Sequence, residues 1–214
     1  MATILVPEQE STIMGAVAVS RSGDVISIAA GTYSEYVAPT VAGLVFTGRT
    51  TDPSQVVITS APGATHTVNL ASSSGTSIAN LTVNFTNGGS GARYGIVSTS
   101  AVVVVSNVVV NTDCSGIGPL GWGSTIDRCK VTCTHKSTSK STWGIYQTAS
   151  GSGTPTSIGS TLVVDFNWAQ IYARYATIVN TTTYTSYKKN ASLIGAYATH
   201  LYNVASAIDV TGGG

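Results

Sequence analysis

Apolar residues along this 214-residue chain follow two periods, and the change from one to the other comes early. Ile13, Ala16 and Val17 recur at i, i+3, i+4, which predicts a short amphipathic helix over 11–22 with Ser11 as its N-cap. Gly15 weakens that helix by about 1 kcal/mol relative to Ala, so packing has to hold it. Gly23-Asp24 then reads as a turn, and Val25-Ile26-Ser27-Ile28 alternates as a strand. Gly31 turns the chain into Tyr33-Ser34-Glu35-Tyr36-Val37. One helix followed by strand after strand suggests a plug on the end of a stack of strands.

Short strands continue from there without another convincing helix: Gly43–Gly48, Val56–Ser60, Thr67–Leu70 and Ser77–Phe85. Segments of this length also suit a β-sandwich, and internal repetition favours the alternative. Tyr94-Gly95-Ile96 resembles Trp143-Gly144-Ile145. Ile78–Val83, Val105–Val110 and Ile126–Val131 repeat one pattern, with starts 27 and 21 residues apart. Such spacing predicts an all-β solenoid of coils, each holding two or three strands. Asn80 and Asn107 fall at the corners, where stacked amides would form a ladder. Coils of roughly 20–27 residues give about seven or eight turns, and a rod of roughly 35 Å at the usual strand spacing.

From Ser160 the rhythm loosens, through strand-like Thr161–Phe166, Gln170–Tyr175 and Ala176–Asn180, into a Tyr-rich stretch and the glycine run 212–214. The pattern divides the chain into an N-terminal arm (1–10), a capping helix (11–22), coils (23–185) and a C-terminal cap or tail (186–214).

Composition sharpens this picture. Only 9% of residues are charged, against roughly 25% in an average domain. Ser, Thr, Asn and Gly must therefore cover the surface, as suits a solenoid with uncharged walls or a surface buried in an assembly. A net charge of +1 gives no general argument for nucleic acid or membranes. The one local concentration is Arg128, Lys130, His135, Lys136 and Lys140, read as a solvated loop or an anionic contact surface. MATILVPEQE predicts no secretory leader, and no apolar run is long enough to span a membrane. Cys114, Cys129 and Cys133 fit no disulfide framework or metal pattern and read as buried thiols.

The opening stretch resembles right-handed parallel β-helix proteins of the pectate lyase and pectin methylesterase type. The resemblance rests on Ile13, Ala16, Gly23, Asp24, Val25, Ile26, Ile28, Gly31, Tyr33, Glu35 and Val37. It implies a single-stranded right-handed parallel β-helix with a short N-terminal capping helix. It also raises polysaccharide cleavage. Pectin methylesterases carry a Gln-Asp-Thr segment and a Val-Asp-Phe-Ile-Phe-Gly segment. Here Val164-Asp165-Phe166 matches the start of the second, Asn167-Trp168 departs from it, and Gln-Asp-Thr does not occur.

The candidate catalytic carboxylates are therefore few. Asp165 reads first as a turn residue. Asp113 and Asp127 could meet on adjacent coils as a glycosidase-type pair, against the plainer reading of two turn aspartates. His66, His135 and His200 are isolated, and no cofactor or metal is implied. Trp122, Trp143 and Trp168 would form a sugar-stacking stripe if they align outward, and are otherwise buried or corner aromatics.

Two functions follow as expectations. The first is a non-enzymatic structural protein of a virus particle, a phage capsid decoration (cement) or tail-associated β-helix. It would sit on the virion, bind capsid or tail subunits, favour a homotrimer and have no membrane or nucleic-acid partner. The alternative is an extracellular polysaccharide-degrading lyase, esterase or tailspike-like depolymerase, for which a surface glycan is the partner. A surface-binding solenoid such as an adhesin or ice-binder is a third, requiring outward threonine ladders.

Overall fold

Parallel strands that stack in register need the same bend at the same place in every coil. From Asn80 onward that bend is a single residue in the left-handed region: Asn80 (φ 57°), Asn107 (52°), Arg128 (50°), Ser160 (47°), Asn180 (48°) and Asn203 (50°). Left-handed backbone costs most residues about 1–2 kcal/mol and asparagine less. The computed structural model describes residues 1–86, 93–99, 101–134, 142–147, 154–174, 176–185, 192–197 and 200–208. The chain is a right-handed parallel β-helix with three walls.

Strand β1 (Thr3–Val6) and helix α1 (Ile13–Val19) open the chain. The first coil holds β2 (Val25–Ile28) and β3 (Gly31–Ser34), and closes where Val37 bridges to Val68. The second holds β4 (Val45–Gly48), β5 (Val56–Thr59) and β6 (His66–Asn69). In the third, β7 (Thr76–Phe85) bends through Asn80 to serve two walls, and β8 (Tyr94–Val97) serves the third. The fourth repeats this with β9 (Val103–Thr112) and β10 (Ser115–Leu120). The fifth is β11 (Thr125–Asp127), β12 (Lys130–Cys133) and β13 (Trp143–Gln147). The sixth is β14 (Thr156–Gly159), β15 (Leu162–Val164) and β16 (Ala169–Arg174). The seventh is β17 (Ala176–Val179), β18 (Thr182–Thr185) and β19 (Ser192–Tyr197), followed by β20 (His200–Tyr202) and β21 (Ala205–Ile208). Strands thus continue past residue 185, where the sequence pattern suggests a cap.

Each wall contributes an inward ladder. On the first, Ile26, Phe46, Ile78, Val105, Ile126, Ile158 and Ile178 pair in register. On the second, Ile58, Val83, Val110, Val131 and Val163 do so. On the third the ladder is Val68, Ile96, Ile117, Ile145 and Ile171. All are buried, and each such side chain contributes about 1.5–3 kcal/mol of hydrophobic stabilisation. Both sequence repeats are therefore equivalent positions on stacked coils, and Ser115-Gly116-Ile117 is the intervening copy of the aromatic-Gly-Ile motif. Cys114, Cys129 and Cys133 are buried, as the sequence reading expects, and burial pushes the Cys129 thiol up to about 12.

The corner asparagines form the ladder that their spacing suggests. Asn107 Nδ2 donates to Asn80 Oδ1 at 2.9 Å and to the Thr51 carbonyl at 2.7 Å, and Asn203 Nδ2 donates to Asn180 Oδ1 at 2.8 Å. A second amide pair, Asn111 to Asn84 at 3.0 Å, lies on the outside of the second wall.

The N-terminal end is closed by α1, which buries Ile13, Ala16 and Val17 as its periodicity requires. Its N-cap is Thr12 rather than Ser11: Thr12 Oγ1 accepts from the Gly15 amide at 2.9 Å, and Glu35 supplies the remaining acceptors. The Glu35 carboxylate accepts from the Ile13 and Met14 amides at 2.9 and 3.0 Å. Residues 1–10 are not a free arm, because β1 pairs in parallel with β2. The outer edge of β1 is covered by its own turn. Gln9 Oε1 accepts from the Leu5 amide, and the Leu5 carbonyl accepts from the amides of Gln9 and Glu10. Asp24 accepts from the Ala2 and Arg21 amides, which hold its carboxyl below the usual range. Glu8 pairs with Arg49, which lowers the Glu8 carboxyl to about 2. Among the described residues no helix is long and apolar enough to cross a membrane.

Two outcomes are expected. Replacing Asn107 by Ala removes both amide bonds and leaves a β-carbon in left-handed backbone, costing about 2 kcal/mol, whereas Asn107→Gly costs about 1 kcal/mol. Urea midpoints of the two variants check this order. For Glu8 and Asp24 the folded pKa lies below the unfolded one, so the unfolded chain takes up protons first as pH falls. The stabilisation from Glu8 is complete above about pH 5 and is lost as pH falls towards about 2, and Asp24 acts in the same direction. Thermal midpoints should drop across that window, and Glu8→Gln should flatten part of the drop.

Candidate functional site

The third wall carries a construction that the other two lack. Gly95, Gly116 and Gly144 occupy equivalent positions and face the valine ladder of the second wall. A β-carbon on them would lie 2.6, 2.3 and 2.2 Å from Val110, Val131 and Val163. The walls approach too closely for any side chain, so the interior is filled from the opposite side. At the sixth coil Gln170 takes this position instead. It is fully buried, and its amide group serves both backbone groups of Phe166, donating to the carbonyl at 2.6 Å and accepting from the N–H at 3.2 Å.

Trp143, Tyr146 and Tyr172 on this wall are part-exposed. Trp143 stacks on Tyr146 with ring centres 4.8 Å apart, and Trp168 meets Trp143 edge-on at 6.5 Å. Tyr146 and Tyr172 pair in register on β13 and β16, their rings 5.6 Å apart. Small neighbours make room: Trp143 is flanked in register by Ala169, and its amide donates to Ser115 Oγ. Tyr94 lies lower on the same wall beside His66, with ring centres 6.1 Å apart, and its amide donates to His66 Nδ1. Burial, with Tyr146 nearby, pushes the Tyr94 phenol up to about 12. Burial also holds the His66 imidazole below its ordinary value. Both rings are neutral at physiological pH. Trp168 is 49% exposed and forms the open end of the cluster. The result is an uncharged aromatic surface running across coils, suited to stacking against the apolar faces of a ligand.

Of the tryptophans in the expected stripe, the structure brings Trp143 and Trp168 together. Trp122 follows β10, at the far edge of the same wall, and is not part of it. Tyr146 and Tyr172 complete the surface, and the sequence pattern does not single them out. The signal was the repeated aromatic-Gly-Ile motif, which marks the strands of this wall.

The candidate carboxylates are dispersed. Asp113 and Asp127 do lie on adjacent coils but at different corners, because Asp127 ends β11 opposite Ser106 while Asp113 follows the end of β9. One whole strand of the second wall separates them, so they form no pair. Asp127 is instead ion-paired with its neighbour Arg128 at 2.9 Å. Asp165 occupies the corner between second and third walls in left-handed backbone (φ 63°), its amide donating to the Tyr184 carbonyl. Asp113 sits at the same corner two coils below, roughly 10 Å away at the usual strand spacing. Its Oδ1 is buried with no hydrogen-bond partner among the described residues. No group of three His, Cys, Asp or Glu side chains that could hold a metal ion occurs among the described residues. His135, Lys136, Lys140 and Tyr187 lie outside the described residues.

No protein-family model matches the chain, and no curated protein does. Solved structures do. The pectin methylesterase of Aspergillus niger, in deglycosylated and penultimately deglycosylated forms, superposes with a TM-score of 0.62 at 18% identity, covering 96% of this chain and 85% of that one. The pectin methylesterase of Yersinia enterocolitica gives 0.49 at 10% identity, covering 94% and 92%. The likeness to the Aspergillus protein, over nearly the whole chain, places this protein in the right-handed parallel β-helix fold.

Proposed function

We propose that this protein engages polysaccharide, with a sugar chain lying along the third wall on Trp143, Tyr146, Trp168 and Tyr172. The observation that carries the reading is the cluster itself: neutral rings, in contact across coils, with Trp168 open to solvent. Sugar rings present apolar C–H faces that stack on such a surface, and a solenoid offers a linear ligand a matching length. The flanking corner carries Asp113 and Asp165, either of which could serve a cleavage reaction at the platform edge. The pectin methylesterases that share the fold make pectin and de-esterified pectin the first probes.

Titration against pectin, de-esterified pectin and neutral polysaccharides tests the proposal. Saturable binding is expected, weakened about tenfold by Trp168→Ala and further by Trp143→Ala/Trp168→Ala. No saturable binding to any of them, or binding unchanged in the double variant, would overturn it. Product release that Asp113→Asn or Asp165→Asn removes would extend binding to cleavage.

A second reading rests on the outside of the first wall. Val25, Val45, Ser77, Val104, Thr125 and Ser157 form one row in register there. In the neighbouring row, Ser27, Thr47, Ala79, Ser106, Asp127 and Gly159, only Asp127 is charged. A flat uncharged wall suits burial against another subunit: capsid or tail proteins of a virus particle, or further copies in a trimer. On this reading the chain is a decoration or tail-associated component of a virion. Sedimentation velocity checks it. A trimer that Val104→Glu dissociates is the expected result, and a monomer without affinity for particles from its source removes the reading.

A further inference from the structure

The asparagine ladder is interrupted. It runs through Asn80 and Asn107, resumes at Asn180 and Asn203, and is broken between them by Arg128 and Ser160. The bend does not need an amide there. The backbone N–H of Arg128 donates to the Gly159 carbonyl, that of Ser160 to Val179 and that of Asn180 to Tyr202, at 3.0–3.1 Å, whatever the side chain. Two residues less suited to left-handed backbone than asparagine thus stand at consecutive rungs, a pattern that points to function.

A groove lies beside these two rungs. It has a volume of about 390 Å³ and includes Arg128, Lys130, Ser160, Leu162, Asn180 and Thr182 in its lining. Its chemistry is mixed in a specific way. Lys130 stands in the outward row between Val109 and Leu162 and has no carboxylate partner among the described residues. Arg128 is neutralised by Asp127. Val109 and Leu162 give an apolar floor, while Ser160, Asn180 and Thr182 offer hydroxyl and amide groups at the rim. One cation, an apolar patch and several neutral hydrogen-bonding groups match one carboxylate, a C–H face and several hydroxyls. We propose that this groove binds a uronic acid residue, the carboxylate on Lys130 and the ring over Val109 and Leu162. The corner lies opposite the aromatic wall in the three-sided section, so the site stands apart from the function proposed above.

The test uses the full chain, titrated with D-glucuronate, D-glucose and sodium sulfate and followed by calorimetry and amide NMR shifts. Glucuronate should bind saturably and shift the Asn180 side-chain amide, and glucose and sulfate should bind at least tenfold more weakly. Lys130→Ala should weaken glucuronate about tenfold. Ser160→Asn restores a ladder residue in backbone that asparagine favours. It should leave thermal stability equal or higher while abolishing binding. Of the two sites, only this groove places a bound uronate beside the Asn180 side-chain amide, so that shift separates it from the platform. Absence of saturable glucuronate binding, or equal binding in Lys130→Ala and Ser160→Asn, overturns the proposal. Equal affinity for glucose or for sulfate overturns uronate recognition.

Discussion

Strands stacked at roughly 4.8 Å allow no coil to change shape without its neighbours, and the left-handed corner between the first and second walls is where that constraint is tightest. The chain has one residue in which to turn, and its N–H must reach the carbonyl of the next coil. Asn180 satisfies both demands, and the corner amides bond in pairs, Asn107 with Asn80 and Asn203 with Asn180. Everything inward depends on that registration. Were one corner to take an extra residue, the isoleucines of the following strand would exchange inside for outside. The third wall obeys a second constraint, the close approach that leaves Gly95, Gly116 and Gly144 no room for a β-carbon. The aromatic surface lies on that same wall, where Trp143 stands next to Gly144.

Much of the architecture was legible in the sequence because identical environments recur. Ile78, Val105 and Ile126 look alike as they meet the same neighbours one coil apart. The later coils were harder to read for a physical reason. Their inward rows use Thr161, Thr181 and Thr183, all buried, in rows where earlier coils have Leu81 and Val108 or Val83 and Val110. Threonine has nearly the shape of valine, and a nearby carbonyl accepts its hydroxyl: Thr161 donates to Gly159 and Thr181 to Val179. The exchange keeps the packing and erases the hydrophobic pattern. The candidate site was only half legible. Trp143 and Trp168 stand 25 residues apart, one coil in space, but Tyr146 and Tyr172 needed the register to be recognised. The aspartates failed as a pair because adjacency of coils does not specify which corner a residue occupies.

The Gly-x-Tyr-x-Glu element also gains a cause. Glu35 reaches back across the end of the rod to accept from two amides at the start of α1, an anion at the positive end of a helix. Tyr33 donates to the Ala29 carbonyl and packs against the core. The first coil and its lid are thus one unit, since the glutamate that caps the helix belongs to the first coil.

The turn of Gln9 around Leu5 has a consequence for how this rod behaves among its own kind. A bare parallel edge is a template, and a rod with two of them polymerises end to end. At β1 both backbone groups of Leu5 are occupied from within the chain, and Pro7 has no N–H to offer. An arriving strand would have to displace the glutamine side chain and two backbone bonds before making any of its own. The rod is therefore guarded at its β1 edge, where the turn of Gln9 opposes strand-by-strand growth at Leu5.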